Sequence, residues 1–241
     1  MKKHIDLSLI LPCFNEHAVF EKSVACILST LKDSSYTFEI IFVDDGSSDD
    51  TRMLITNVCK TQTSCTYILH TQNDGRGAAV TDGIRIAKGD VVGYIDIDLE
   101  VSPVYIPDIV SLIKKGDADV VVGNRIYRTS AGSMIREILS VGYRKLSDWI
   151  IGTGGVDTES GYKFFNRKRF LPVLKTIKDK RWFWDTESIV RSRKIGLVIK
   201  EVPVLFIRRF DKVSSVHIIR DTLTYFWDIW RFRKELIMHN V

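Results

Sequence analysis

Residues 89–103 read GDVVGYIDIDLEVSP. The apolar run that begins at Val91 has the length and β-branched content of a buried strand, expected here over residues 91–98. It ends in Asp96, Asp98 and Glu100 at alternate positions, an odd finish for a segment bound for a core. Four more runs of this kind precede or follow it: SLILP (8–12), FEIIFVDD (38–45), TYILH (66–70) and DVVVGNR (119–125). Helix-length stretches separate them, among them HAVFEKSVACILSTLKD (17–33) and GAAVTDGIRIAKGD (77–90). Strand alternating with helix in this rhythm predicts an α/β protein built on a mostly parallel sheet with helices on both faces.

Ligands of such sheets bind outside the carboxyl ends of the strands. Asn15 and Glu16 follow the first strand, Asp44 and Asp45 end the second, Asp96 and Asp98 the fourth, and Asn124 and Arg125 the fifth. The four clusters therefore share one edge of the sheet, although Asp and Asn are also common caps and turn formers. In an extended strand, residues i and i+2 project from one face, so Asp96 and Asp98 point the same way. Paired carboxylates repel unless a cation sits between them. Mg²⁺ is held by one or two protein carboxylates and completes its shell with water and phosphate oxygens, which suits so sparse a set. A calcium EF-hand starting at Asp96 is excluded, because its sixth position is Val101 where Gly is required, and its twelfth is Pro107 where Glu is required. Neither a P-loop nor a GxGxxG motif is present, and NDGRGAA (73–79) is a glycine turn before a helix that brings backbone close to phosphate or ribose.

The chain has 241 residues, 45% hydrophobic and 27% charged, enough for one large domain with a real core. No segment offers the ~18 uninterrupted apolar residues of a membrane span, and the N-terminus reads as a first strand, not a signal peptide. Cys13, Cys26, Cys59 and Cys65 lack metal-site spacing, which suggests a reduced, cytosolic setting. The net charge of +5 is concentrated after residue 124. That asymmetry suits an anionic ligand or membrane surface; nucleic acid is a poor partner, as no basic stripe is interleaved with aromatics. Residues 133–152 read as an amphipathic helix, residues 197–207 as a further strand, and residues 216–233 as a last helix. That helix carries Ile219, Leu223, Phe226 and Trp230 on one stripe. With Trp227 and RFRK it has the composition of an interfacial helix; packing against the catalytic domain is the alternative.

LILPCFNE, FVDDGSSDDT, NDGRGAAVTDGI, GDVVGYIDIDLEVSP, VVVGNRIYR and DTESGYKFFNR, in this order, resemble glycosyltransferase family 2 over roughly residues 6–215. The closest likeness is to its polyprenyl-phosphate branch, the dolichol-phosphate mannose synthase group. The resemblance implies a GT-A fold over 1–215, with residues 216–241 as a C-terminal amphipathic helix. It implies inverting, metal-dependent transfer of a sugar from a nucleotide diphosphate to dolichyl or undecaprenyl phosphate. GDP-mannose is the first donor expected, with UDP-glucose close behind. Pro12, Phe14, Glu16, Val43, Asp45 and Ile97 would hold the nucleotide. Asp96 and Asp98, with Glu100 as a third position, would bind Mg²⁺ or Mn²⁺, Glu100 being equally suited to start the helix that follows. Arg125 and Arg209 would face the donor phosphates, and Arg136, Arg144 and Lys212 the acceptor phosphate. The family's lysine six positions after the second arginine is Ser215 here, and the usual tyrosine of PCFNE is Phe14.

A phosphate acceptor also has physical support. A sugar hydroxyl must lose a proton to attack and needs a general base, whereas a lipid phosphate arrives as an anion and needs only cations to position it. The second half supplies Arg125, Arg128, Arg136, Arg144, Arg208, Arg209 and Lys212. Asp185 and Glu187 of FWDTE are the residues that would serve as base for a hydroxyl acceptor, or would instead orient basic side chains. A family member acting on a saccharide hydroxyl and a donor-binding subunit without transfer activity are the competing readings. Peripheral attachment to the cytoplasmic face of a membrane, alone or through a membrane-anchored partner, would bring the lipid within reach.

Overall fold

The computed structural model describes residues 4–127, 145, 147–208 and 218–238. In chain order the strands are β1 (Leu7–Cys13), β2 (Phe38–Asp44), β3 (Cys65–Leu69), β4 (Val91–Ile95), β5 (Val120–Tyr127), β6 (Tyr162–Asn166) and β7 (Ile199–Phe206). The helices are α1 (His17–Asp33), α2 (Thr51–Thr61), α3 (Arg76–Ile86), α4 (Ile106–Lys114), α5 (Arg167–Leu174), α6 (Trp184–Lys194) and α7 (Ile218–Met238). The strands form one sheet in the order β3-β2-β1-β4-β6-β5-β7. All neighbours are parallel except β6, which is antiparallel to both β4 and β5.

Parallel strands covered on both faces read as continuous apolar runs, and β1 shows why. Leu7, Leu9 and Leu11 face a core shared with Val24 and Ile27 of α1 and Ile109 and Ile113 of α4. Ile10 faces the opposite core, with Val80 and Ile84 of α3 and Trp184 and Ile189 of α6. The strand-helix alternation of the first half thus takes the expected form, and α1 spans the residues predicted for it.

The strand β6 escapes the sequence reading. It is five residues long and carries Lys163 among Tyr162, Phe164 and Phe165, so it shows neither an apolar run nor a clean alternation. It is nonetheless buried, and Gly93 of β4 makes room for it, since a Cβ at 93 would run into the Phe164 ring. Around it Tyr94, Phe165, Phe170 and Trp184 make edge and stacked contacts, with centroids 3.8–6.4 Å apart. Trp184 is fully buried and its Nε1 donates to Thr81 Oγ1 at 2.8 Å. Truncating such a residue costs about 3–5 kcal/mol, and Trp184 fixes the first turn of α6, where Asp185 stands.

The last helix packs Ile229 and Phe232 onto Ile151, Phe183 and Val190. Among the described residues no helix is long and apolar enough to cross a membrane. The four cysteines are free.

Candidate active site

The carboxyl ends of β1, β2, β4 and β5 lie on one edge, and the polar clusters meet there. After β1 the chain bends at Asn15, whose φ of 56° is left-handed. Its side-chain oxygen accepts from Ser48 N at 2.8 Å, and its own N–H donates to Ser47 Oγ at 2.9 Å, tying this loop to the one after β2. Glu16 donates its N–H to Thr51 Oγ1 at 2.8 Å and opens α1 with its carbonyl. Phe14 stands 40% exposed beside part-buried Pro12, whereas Val43 and Ile97 are core residues that offer a ligand only their main chain.

The two aspartates that follow β2 differ. Asp45 is buried and its oxygens are engaged: Asp74 N and Gly75 N donate to it at 2.9 Å each, and His70 Nδ1 lies 2.9 Å away. It braces the loop that leads into α3. Asp44, placed on this edge by the sequence but given no part in holding the nucleotide, accepts from Arg52 Nε at 3.2 Å and Nη2 at 3.1 Å through Oδ2. Its Oδ1 is buried with no hydrogen-bond partner among the described residues. Such an orphan atom costs about 1–3 kcal/mol unless a ligand satisfies it.

At β4 the structure corrects the sequence geometry. The strand stops at Ile95, and residues 96–98 form a turn in which Leu99 N donates to Asp96 O at 3.3 Å. Leu99 itself is left-handed, with φ 54°, a conformation a bulky residue adopts only where its surroundings impose it. Asp96 and Asp98 are therefore brought together by a turn and not by an extended strand. Asp96 accepts from Arg76 Nε at 2.8 Å and Nη2 at 2.6 Å. Partial desolvation raises its carboxyl; Arg76 opposes this and the like charge of Asp98 adds to it.

Arg76, from the NDGRGAA turn, is the centre of the site and was not singled out in the sequence. Its Nη1 donates to Asp185 Oδ2 at 2.6 Å, so one guanidinium joins the turn after β4 to the first turn of α6. Asp185 also accepts from Lys163 Nζ at 2.8 Å and from the Tyr94 hydroxyl. Lys163 is fully buried and donates as well to Thr158 O at 2.9 Å and to Ser160 O. Burial pulls the Lys163 ammonium down and Asp185 pushes it back. Burial acts to raise the Asp185 carboxyl, but Arg76 and Lys163 outweigh it and hold Asp185 below the usual carboxylate range. Gly161 completes the junction, because a Cβ there would fall on Asp96 Oδ2.

Arg125, on β5, is forked onto Asp157, with Nε and Nη2 each 2.8 Å from its oxygens, and lies 3.6 Å from Glu159. Burial and Arg125 act in opposite directions on Asp157, and Arg125 prevails, so its carboxyl is lowered; burial leaves the half-exposed Glu159 raised. Asp157 and Glu159 belong to DTESG, a segment whose acids the sequence reading left without a role. Glu187 is away from this cluster: it accepts Lys178 N at 3.1 Å, Asp179 N at 2.8 Å and Arg191 Nε at 2.7 Å. Arg128, Arg136, Arg144, Arg209, Lys212 and Ser215 lie outside the described residues.

Carboxylate oxygens on a tight turn are the donor chemistry of a hard divalent cation such as Mg²⁺ or Mn²⁺. Among the described residues a trio of ligand atoms within 4.8 Å of one another occurs at His4, Asp6 and Asp90, on the opposite edge of the sheet, and not at Asp96, Asp98 and Glu100. Two protein carboxylates, with the shell completed by substrate and water, is the arrangement this turn fits. Glu100 N donates to Asp98 Oδ1 at 3.3 Å, so Glu100 also serves to close the turn.

Comparison with known proteins gives the geometry a context. The model of the family described as "Glycosyl transferase family 2" matches residues 8–177. A protein named dolichyl-phosphate beta-glucosyltransferase ALG5A, from Trichomonas vaginalis, is 32% identical over 209 residues, covering 82% of this chain and 64% of that protein. The dolichyl-phosphate beta-glucosyltransferase of Saccharomyces cerevisiae is 29% identical, over 84% of this chain and 67% of its own. Glycosyltransferase AglD of Haloferax volcanii is 27% identical over 91% of this chain, which spans 35% of that longer protein. Among solved structures, glucosyl-3-phosphoglycerate synthase of Mycobacterium tuberculosis, in complex with Mn²⁺, UDP and glucosyl-3-phosphoglycerate, superposes with a TM-score of 0.64. It is 22% identical and is matched over 87% of this chain and 73% of its own, a likeness of fold.

Proposed function

This chain belongs to glycosyl transferase family 2, and we propose that it transfers glucose from UDP-glucose to a polyprenyl phosphate of the dolichyl type, with inversion at the anomeric carbon. Two of the relatives above carry the name dolichyl-phosphate beta-glucosyltransferase and neither is a mannosyltransferase. GDP-mannose, the donor expected first, therefore gives way to UDP-glucose.

The observation that carries the acceptor class is the state of Asp185. Tyr94, Lys163 and Arg76 all donate to it, and it is buried and held as an anion. A carboxylate so occupied orients cations and does not collect a proton. Glu187 is equally spent on Lys178, Asp179 and Arg191. The reaction then runs without removal of a proton: an oxygen of the lipid phosphate attacks the anomeric carbon as the bond to the diphosphate oxygen breaks, and the nucleoside diphosphate leaves as an anion.

In this reading Asp96 and Asp98 hold Mg²⁺ or Mn²⁺, which would offset the charge on the leaving diphosphate. Arg76 aims Asp96 and opposes the rise that burial gives its carboxyl, Phe14 presents its exposed face to the base, and the free oxygen of Asp44 accepts from the nucleotide. Arg125, steadied by Asp157 and Glu159, supplies positive charge at the phosphates. If the acceptor were instead a hydroxyl, Glu159, half-exposed and with its carboxyl raised, is the acid in reach of the site.

The test is transfer of labelled glucose from UDP-glucose and Mn²⁺ into an organic-extractable polyprenyl phosphate. Asp98→Ala should lower turnover by roughly 10² or more, the usual cost of losing stabilisation where charge develops. Turnover unchanged at saturating Mn²⁺ overturns the metal assignment. A rate that falls with Glu159→Gln, together with loss of the acid limb of the pH profile, favours the hydroxyl acceptor.

A further inference from the structure

Four of the five tryptophans are exposed: Trp149, Trp182, Trp227 and Trp230. Two of them lie on α7, and that helix is apolar on opposite sides. Its inner side buries Ile229 and Phe232 against Ile151, Phe183 and Val190, with Leu236 alongside. At 100° per residue, Trp227, Trp230, Lys234, Ile237 and Met238 fall together on the outer side. Trp227 is 74% exposed, Trp230 52%, Ile237 61% and Met238 67%. This stripe is about 16 Å long at 1.5 Å per residue. A helix on the surface of a protein in water keeps one apolar side, so the second implies something that covers it.

We infer that the outer side of α7 is a docking surface for the headgroup layer of an anionic lipid bilayer. Lys234 stands in the middle of the stripe and Arg231 at its border, with a side chain 72% exposed. Lysine is depleted at the centres of protein–protein interfaces, but at a bilayer its stem lies along apolar surface while the ammonium reaches phosphate. Indole rings suit the same depth, with an apolar body and an N–H for the wet side. The acids of this part of the helix are turned to protein cations: Asp228 to Arg231 at 3.1 Å, and Glu235 to Arg191 at 2.6 Å and Lys178 at 3.0 Å. Trp149, 79% exposed, extends the surface from the helical turn at 147–151, whose Ile150 and Ile151 pack beside α7.

The position of this surface matters for the site. Phe232 meets Phe183 edge-on, with centroids 5.5 Å apart, and Phe183 immediately precedes Trp184 and Asp185. Exposed Trp182 lies under the Arg76 guanidinium, 5.5 Å from it. The outer side of α7 is thus linked to the carboxylate turn through Phe232, Phe183 and the first turn of α6, whose Asp185 shares Arg76 with Asp96. The benefit to turnover rests on the lipid acceptor proposed above; the binding itself does not.

Co-sedimentation of the full chain with phosphatidylcholine vesicles, with and without phosphatidylglycerol, tests this in the absence of any substrate. Wild type should bind the anionic vesicles with a blue shift in tryptophan emission. Trp227→Ala/Trp230→Ala should bind at least tenfold more weakly, and Lys234→Gln about fivefold, with melting temperatures unchanged because these side chains touch solvent. Transfer to a short, water-soluble polyprenyl phosphate should be unaffected by the substitutions, while transfer to a long-chain acceptor in vesicles falls. Failure of wild type to bind anionic vesicles overturns the surface, as does self-association abolished by the same substitutions without vesicle binding. Vesicle binding with no transfer to either acceptor leaves the surface standing and refutes the acceptor.

Discussion

Replacement of Asp185 by Asn removes one negative charge and little volume from the buried junction. Arg76 Nη1 at 2.6 Å and Lys163 Nζ at 2.8 Å then lose their shared anion, and the amide oxygen serves only one of them. A hydrogen bond to a charged group is worth about 1.5–3 kcal/mol, and breaking a buried pair from one side costs about 3–5 kcal/mol. We expect a loss of about 3–4 kcal/mol, which in a chain of this size lowers the melting temperature by roughly 10 °C. Adding Lys163→Met removes the stranded ammonium, so the double variant should be more stable than the sum of the singles by about 1–3 kcal/mol. The second readout is the pH profile of transfer. The Asp185 carboxyl is lowered in the folded protein, so its contribution to stability is present above the ordinary carboxylate range and lost as pH falls below it. It is ionised throughout the working range, and Asp185→Asn should reduce the rate without altering the shape of that profile. A melting temperature within a degree of wild type, or strict additivity in the double variant, would refute the network. Disappearance of an acid limb would show that Asp185 takes a proton after all.

Gly161→Ala places a methyl on Asp96 Oδ2 and beside Arg76; turnover should fall roughly 10²-fold, as a misplacement of about 1 Å costs, with the donor-induced thermal shift reduced alongside. Asp44→Asn should weaken UDP binding while preserving the fold, because Arg52 still finds His70 O at 2.6 Å; equal UDP affinities by calorimetry would remove Asp44 from the pocket. On the opposite edge of the sheet, burial raises the Asp6 carboxyl, but Lys114 and Thr37 outweigh it and lower it from 3.8 to about 2. That shift contributes about 2 kcal/mol at neutral pH, which is lost as pH falls from about 4 to 2. Asp6→Asn should therefore be less stable than wild type at pH 7 and nearly equal to it near pH 2 by denaturant titration.

The elements that read clearly in the sequence are those whose stabilisation is periodic. The strands β1, β2 and β5 are apolar runs because parallel strands are covered on both sides, and α1 repeats Val24, Ile27 and Leu31 on a single stripe. The shared carboxyl edge followed from that alternation, and with it Asp44, Asp45, Asp96, Asp98 and Arg125 were placed together before any coordinate. The tertiary structure decided the rest. β6 is held by neighbours on both sides, not by its own pattern, and a lysine in its middle hides it until Asp185 supplies the counter-charge. Arg76 and Asp185 are 109 residues apart, and no spacing rule joins them. The turn at Asp96–Asp98 depends on the left-handed Leu99, which local propensity disfavours and packing imposes. The second apolar side of α7 emerges only once the first is seen buried. Short-range pattern records which side chains prefer water or core; the pairing of charges across the sheet is a consequence of where the chain returns, and the fold alone sets that.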